Sequence, residues 1–488
     1  MTGTTTSCLT ATCETPLRPE AKAAPQKKPQ THYDRWPLVA VALGFVMAML
    51  DVTVVNVGLT RIQADLGITL AGLVWVVDGY TLTFAALLLI GGALASRHGA
   101  RAVYMAGLVL FVSASALCAL APTGAALIAA RLVQGAGAAL FMPASLSLMT
   151  QSYPDDRIRV QVLAIWSAIV SVAAVLGPVV GGTVIAALGW RAIFWLNVPI
   201  GIIGVMLTRR HIAVSPRQRL GLNPSGHALA VTGLAALAFA MIENGTYGWF
   251  SLPIIGALLL GIAAIAAFAA RERHSASPIL PQALRRNTRF TAANGIGFFV
   301  NLAAFGQLFL ISLYLQQARG DDAWHTGLDL LPLLMMFTLG NLASGRISIR
   351  WGTRLPLVVG LASAALLTAG VTATAGLLPY WLFAALIMLI NLGVGVAIPA
   401  MTVTVMEVAG QDHANIAAAA LNANRQIGAL IGVALIGAIL HRVPAWHGAL
   451  PLTFGLVTTG YLAAAALALR YLDGAEPAAA TTLRGAPR

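Results

Sequence analysis

Polar residues are rare and clustered along most of this chain. Between residues 36 and 471, long apolar runs alternate with short polar turns. Each run is roughly 17–25 residues, enough to cross the ~30 Å hydrocarbon core of a bilayer as an α-helix. They centre near Leu43, Ala85, Val112, Ala138, Val175, Gly201, Leu234, Leu259, Leu302, Met335, Ala364, Leu389, Leu430 and Ala463, so the pattern predicts fourteen spans. The first 35 residues, rich in Thr, Pro, Ala and Lys, read as a disordered tail. The first span is too long for a signal-peptide core and lacks a persuasive cleavage site, so it is expected to stay in the protein.

Composition agrees with a chain that uses lipid as its solvent. Of 488 residues, 58% are hydrophobic and 10% charged, against about 25% charged in an ordinary soluble domain. Mean hydropathy is +0.81. The net charge of +13 invites a nucleic-acid reading, but its placement argues otherwise. With the N-terminus inside, 24 of the 30 Lys and Arg fall in inside segments and four in outside loops. That bias orients the spans, puts both termini in the cytoplasm and leaves no nucleic-acid partner to explain. No Walker-type phosphate loop, compact catalytic cluster or metal-ligand constellation is apparent, so neither an enzyme nor a cofactor is expected. Three Cys, two of them in the tail, give no disulfide framework.

An internal repeat organises the spans. "GALASRHGAR" follows the second span and "GRISIRWGTR" the tenth; Gly92, Arg97, Gly99 and Arg101 match Gly345, Arg350, Gly352 and Arg354 at an offset of 253. "QGAGAALFMP" in span four has a weaker echo, "NLGVGVAIP", in span twelve. Both matches lie eight spans apart, which predicts two six-helix halves separated by two additional helices. The expected divisions are a tail at 1–35, halves at 36–210 and 276–472, the extra pair at 211–275 and a tail at 473–488. Paired halves around a midplane cavity are a transporter architecture.

Charges inside the spans mark candidate chemistry, because an ionised group near the bilayer centre costs about 2.5–3.5 kcal/mol on insertion scales. Counting 1.5 Å of rise per residue, Asp51, Arg131 and Asp78 fall at similar depths in spans one, four and two. An Asp–Arg association there would offset burial and respond to protonation. The bland alternative is an inert polar lock. Arg425 is a second buried cation, about 14 Å into span thirteen. Glu243 and Asp329 lie near span ends and read as solvated. In span four, Arg131, Gln134, Gly135, Ala138 and Met142 recur at helical spacing and share a face, as beside a cavity. In span five, Ala173, Gly177 and Gly181 form a small-residue stripe for a close helix neighbour, and Pro178 removes a backbone donor. Arg97, Arg101, Arg350 and Arg354 obey the positive-inside rule, and the repeat suggests an additional role as inner-gate contacts.

These motifs carry a family resemblance. "LDVTVVNV", "GALASRHGAR", "RLVQGAGAA", "LGPVVGG" with "GWRAIFWLNVPIG", and "LNANRQIGALIG" resemble, in order, the motifs of fourteen-span drug:proton antiporters of the major facilitator superfamily, especially the methylenomycin A resistance-type branch. The resemblance runs from about Trp36 to the last span. Two positions depart from the pattern: Ser96 stands where the loop motif usually carries an acid, and Ala173 where the span-five motif usually has Gly. The resemblance implies an all-α polytopic major facilitator fold, in a bacterial cytoplasmic membrane. It also implies alternating-access export of a small amphiphilic drug or antibiotic by a monomer, driven by the proton motive force. Asp51, Arg131 and Asp78 become the proton-coupling candidates, with the choice between the two acids open. Asn56, Gln134, Met142 and Arg425 are expected to face the substrate cavity. Gly92, Arg97, Gly99, Arg101, Gly135, Gly177, Pro178, Gly181, Gly182, Gly345, Arg350, Gly352 and Arg354 are expected to serve the conformational change. An exporter of an endogenous metabolite or siderophore, or a non-transporting receptor, are the alternatives.

Overall fold

The computed structural model describes residues 34–217, 224–274, 280–374 and 377–471, except the side chains at 156, 157, 160, 411, 412, 414 and 415. The predicted tails therefore lie almost wholly outside the described residues. Among the described residues, fourteen helices are long and apolar enough to span a membrane. They are α1 (Trp36–Leu66), α2 (Leu70–His98), α3 (Ala100–Ala119), α4 (Gly124–Ser152), α5 (Gln161–Leu188), α6 (Arg191–His211) and α7 (Pro224–Tyr247). Then come α8 (Leu252–His274), α9 (Thr288–Ala318), α10 (Ala323–Trp351), α11 (Arg354–Ala373), α12 (Tyr380–Gly410), α13 (Ile416–Arg442) and α14 (Trp446–Tyr471). Lipid offers the backbone no hydrogen-bond partners, so a run of apolar residues is stable there only when helix satisfies its own N–H and C=O groups. The side bearing Arg97, Arg101, Arg209 and Arg350 is here called the basic face, and the opposite side the far face.

The chain reverses where side chains or glycines end the helices. Thr69 accepts the Gly72 N–H at 3.2 Å and Thr123 the Ala126 N–H at 3.3 Å, capping α2 and α4. Gly99 (φ 92°) and Gly352 (φ 76°) close α2 and α10 in a backbone region that side chains disfavour. They are a matched pair of the sequence repeat. The match extends to function within the fold. Arg101 Nη2 donates to Arg209 O in the last turn of α6 (2.7 Å), and Arg354 Nη2 to Leu469 O in the last turn of α14 (3.5 Å). Each arginine thus satisfies an orphan C-terminal carbonyl of the sixth helix in its own half.

Helices α1–α6 form one half and α9–α14 the other. Glycine sets the tight packing within each. A Cβ at Gly135 would fall 2.2 Å from Tyr80 O in α2, and one at Gly137 2.7 Å from Phe111 N in α3. In the echo motif, Gly395 meets Phe337 O of α10 at 2.1 Å and Gly393 meets Gly360 O of α11 at 2.7 Å. The two motifs therefore do the same job, with their glycine pairs addressing the neighbouring helices in opposite order. The additional helices are central in sequence but peripheral in space. Helix α7 packs against both α2 and α13, α8 packs on α7, and Leu259 and Ile262 of α8 are exposed.

The halves meet near the far face. Thr60 hydrogen-bonds Gln316 at 2.5 Å and Gln317 Nε2 donates to Gln63 Oε1 at 3.3 Å, joining α1 to the π-helical last turn of α9. On the second seam, Gly182 and Gly327 let α5 and α10 touch: their Cβ atoms would fall 2.5 Å from Ala323 O and 2.4 Å from Pro178 O. Gly437 of α13 similarly abuts Val74 of α2.

Candidate functional site

Asp51 lies in the middle third of α1, 4% exposed, and its carboxylate is saturated by donors from two other helices. Arg131 Nη1 of α4 reaches Oδ2 at 2.5 Å. Gln134 Nε2 of α4 donates to Oδ1 at 2.8 Å, and Asn197 Nδ2 of α6 to the same oxygen at 3.0 Å. The guanidinium, 1% exposed, is equally well held. Its Nε donates to Val76 O of α2 at 2.9 Å and its Nη1 to Gln134 Oε1 at 2.7 Å. Tyr80 stacks against it with 4.6 Å from Cζ to the ring centroid. Ser115 of α3 accepts from Gln134 Nε2 (2.8 Å) and Asn197 Nδ2 (3.3 Å). Five helices of one half thus converge on a single charge pair. In a low-dielectric interior such a network is rigid while every donor has an acceptor, and vulnerable when one is changed.

The pair borders the interface between the halves. A cavity of about 20 Å³ lies against Arg131, Asn56 and Tyr80 on one side and Phe305, Ala429 and Val433 of α9 and α13 on the other. That is room for about one water. Along α13 toward the basic face, Val433 and Ala429 are buried, Arg425 is half-buried and Asn422 is exposed.

Several expectations change in three dimensions. Gln134 does not face the substrate cavity; it is fully buried inside the ion-pair network, because α4 turns that side toward α1 and α3. The face shared by Arg131, Gln134, Gly135 and Met142 is therefore mostly a helix-packing face, with Met142 half-buried about three turns along. Asp78 is not a partner of Asp51 or Arg131. Both its oxygens are buried without a hydrogen-bond partner, on the side of α2 between the Trp75 and Val74 contacts to α7 and α13. Depth along a helix axis was right for Asp78; the direction in which it leaves the axis was not. Glu243 is not simply solvated, since it accepts the Trp75 indole N–H at 2.8 Å, and Asp329 bonds Tyr380.

The motif residues fall on packing seams. Gly177 and Gly181 face α1, where Cβ atoms would meet Thr53 Oγ1 and Val54 Cγ1 at 1.9 and 2.7 Å, while Pro178 and Gly182 face α10 of the other half. Gly92 lies near Pro143, a Cβ there being 3.9 Å from its Cβ, but its repeat partner Gly345 has nothing within 4 Å. Arg350 stacks on Trp351 at 5.4 Å, and Arg97 is exposed. In this conformation Arg101 and Arg354 cap helices of their own halves, so an inner gate built by them across the halves is not present. Ser96 bonds Gly92 O of its own helix at 3.3 Å. Asn197, Ser115 and Tyr80 were missed as site residues; for Asn197 the available signal was an amide inside the "FWLNVPIG" run. Among the described residues there is no His, Cys, Asp and Glu cluster able to hold a metal ion.

Comparison with known proteins agrees with this architecture. The family model of the Major Facilitator Superfamily matches residues 41–433. The methylenomycin A resistance protein of Streptomyces coelicolor is 46% identical over 447 residues, covering 91% of this chain and 94% of the relative. The protein of that name from Bacillus subtilis is 43% identical over 445 residues, covering 91% and 96%. Among solved structures, a D-xylose–proton symporter superposes with a TM-score of 0.66 at 12% identity over 91% of this chain and 99% of its own, a likeness of fold alone. Sequence family and helix arrangement agree: the chain belongs to the Major Facilitator Superfamily.

Proposed function

We propose that this protein exports an antibiotic-like small molecule across a bacterial cytoplasmic membrane in exchange for protons. The observation that carries the reading is the Asp51–Arg131 pair, buried among five helices yet bordering the cavity between the halves. The resistance activity named for its relatives supports the same class of cargo. The basic face is cytoplasmic, as the charge bias requires, with both termini on that side. The conformation closed at the far face then opens inward. The halves are residues 36–210 and 276–472, with the extra pair at 211–275, and the monomer is the working unit.

Asp51 is the proton carrier. Ionised, it accepts from Arg131, Gln134 and Asn197. A protonated carboxyl has one oxygen turned donor, which would face a donor from at least one of these groups. Protonation therefore loosens α1 from α4 and α6 and releases the half to rock about the α5–α10 and α2–α13 seams. The membrane potential adds about 2.3 kcal/mol per net charge per 100 mV to the pH gradient. The test is proton movement in proteoliposomes on adding compounds from an antibiotic panel, paired with the same panel on cells with and without the gene. Resistance without proton movement would leave export and remove proton coupling; neither would remove both.

A further inference from the structure

Three groups donate to the Asp51 carboxylate, and none of them accepts from it. A proton on either oxygen therefore needs an acceptor that the ionised site does not present. On Oδ2 the proton would face Arg131, whose guanidinium has five N–H donors and no acceptor. On Oδ1 it meets two amides, and an amide exchanges donor for acceptor by turning over. The other titratable groups beside the carboxylate are Tyr80 of α2 and Cys118 of α3. Helix α5 contains no charged or titratable residue, and those of α6, α9 and α10 lie near the helix ends.

The two amides are not equally held. Gln134 is fixed at both ends: Nε2 donates to Asp51 Oδ1 and to Ser115 Oγ at 2.8 Å each, while Oε1 accepts from Arg131 Nη1 at 2.7 Å. Turning it over would set its NH₂ against the guanidinium. Asn197 is held at one end. Its Nδ2 donates to Asp51 Oδ1 at 3.0 Å and to Ser115 Oγ at 3.3 Å, and among the described residues its Oδ1 accepts no hydrogen bond. The surroundings suit the reversed amide as well. Ser115 Oγ accepts from both amides and donates to no acceptor among the described residues, so its hydroxyl is available to donate. The reversed NH₂ has an acceptor in its own helix. Asn56, Asn294, Asn301 and Asn391, all inside spans, donate Nδ2 to the carbonyl four residues earlier at 2.8–3.0 Å. For Asn197 that carbonyl is Ile193 O, in the first turn of α6.

We infer that the Asn197 amide is the switch that reads the proton on Asp51: it donates to the carboxylate and, turned over, accepts from the acid. This rests on Asp51 as the proton carrier and adds the group that responds to it. The proton brought by the exchange forms an O–H bond at Asp51 Oδ1, and the two hydrogen bonds from Asn197 Nδ2 break. The new Oδ1–H and the Ser115 O–H then both donate to Asn197 Oδ1, while Nδ2 turns to Ile193 O. Gln134 keeps Ser115 Oγ and the remaining lone pair of Asp51 Oδ1 as acceptors. Arg131 keeps Val76 O, Gln134 Oε1 and the carbonyl Oδ2 of the acid, but loses its counter-charge. A hydrogen bond to an ionised group is roughly twice as strong as a neutral one. Helix α1 therefore stays tied to α6 by a weaker, neutral bond, whereas its contact with α4 loses an ion pair. The asymmetry directs the release to α4.

The experiment is pH-difference infrared spectroscopy on the purified full chain in liposomes, with the side-chain carbonyl carbon of Asn, or in a second sample of Gln, isotopically labelled. The Asp51 acid carbonyl is identified by its loss in Asp51→Asn. An Asn carbonyl band is expected to shift with the same pH midpoint as that acid, and to vanish in Asn197→Leu. The Gln carbonyls stay silent at that midpoint. In Asn197→Leu the acid carbonyl moves to higher wavenumber, because the O–H of the acid has lost its acceptor. Where Asn197→Leu does not fold, Asn197→Ser, which has no side-chain carbonyl, carries the assignment of the Asn band. A merely structural Asn197 would give no carbonyl change in the parent. An Asp51 acid with a silent Asn carbonyl, an Asn band that survives both substitutions at 197, or a moving Gln carbonyl overturns the switch and leaves Asp51 as the carrier. No acid band that depends on Asp51 at any pH removes both.

Discussion

Replacing Asp51 by Asn separates a proton carrier from a structural lock, because the substitution keeps the shape of the side chain and removes its charge. In the network, Oδ1 accepts from Gln134 and Asn197 at 2.8 and 3.0 Å, and Oδ2 from Arg131 at 2.5 Å. An amide turned to satisfy Gln134 and Asn197 points its NH₂ at Arg131; turned the other way it opposes two amide donors. Flipping Gln134 does not help, since its Oε1 already accepts from Arg131 at 2.7 Å. Every arrangement leaves a donor facing a donor and Arg131 without its counter-charge. Losing one partner of a buried pair costs about 3–5 kcal/mol. The residual bonds of Arg131 to Val76 O and Gln134 Oε1 place Asp51→Asn at the lower end. Removing both charges in Asp51→Asn/Arg131→Gln takes away the unpaired cation, so the double variant is expected to regain about 1–3 kcal/mol relative to the sum of the singles. Unfolding can be followed in detergent through Cys118, a buried free thiol, after Cys8 and Cys13 are changed to Ser. Proton-coupled uptake into everted vesicles is measured on the same preparations. A titrating Asp51 predicts that the double variant regains stability and stays uncoupled. Coupled transport by Asp51→Asn, or its return in the double variant, refutes the assignment and makes the pair a lock.

Three other perturbations test the surrounding structure. Gly182→Ala or Gly327→Ala pushes a Cβ to within 2.5 or 2.4 Å of a backbone carbonyl across the α5–α10 seam. Such overpacking costs about 1–3 kcal/mol, a roughly 5- to 150-fold shift toward opening at the far face. Spin-label distances between positions 63 and 317 should lengthen, and an unchanged distribution rejects the seam as the closing contact. At the start of α10, the His325 backbone N–H and then the His325 ring hold the Asp322 carboxyl below the usual carboxylate range. A depressed native pKa gives stabilisation that is complete above the unfolded value, near 3.9, and is lost as pH falls through the lower native value. Protection of the His325 and Thr326 amides, relative to their intrinsic exchange at each pH, should therefore fall only in that acid window, while Asp322→Ala lowers it at neutral pH by about 1 kcal/mol, the worth of an N-cap; protection in the parent that does not change with pH contradicts the cap. Finally, Arg101→Met should release the α6 C-terminus and increase exchange in its last turn without changing exchange in α14. Equal effects on both would argue against separate capping within each half.

The number of membrane helices was legible in the sequence because it follows from local needs. About 20 apolar residues cover the hydrocarbon core, and Thr69, Thr123, Gly99 and Gly352 stop the helices where they stand. The loop repeat was equally local, and its duplication is visible in the matched capping by Arg101 and Arg354. Burial of Asp51 and Arg131 was also readable, since position along a helix fixes depth, whereas Asp78, closer to a span end, read equally as solvated and is fully buried. Which of them meet was not. Depth leaves rotation about the axis and the identity of the neighbour undetermined, and those are set by contacts such as Gly135 on Tyr80 and Gly137 on Phe111. Those contacts turn Gln134 inward and bring Asn197 and Ser115 to Asp51 from 146 and 64 residues away in sequence. The same packing aims Asp78 toward the α7 and α13 seam. The sequence by itself determined a membrane protein with a duplicated helical plan and charges set inside its spans. Only the tertiary structure decided that Asp51 is paired, that Asp78 is buried without a hydrogen-bond partner and that Arg425 has no ion-pair partner among the described residues, because helix rotation depends on the far-apart residues that pack against each face.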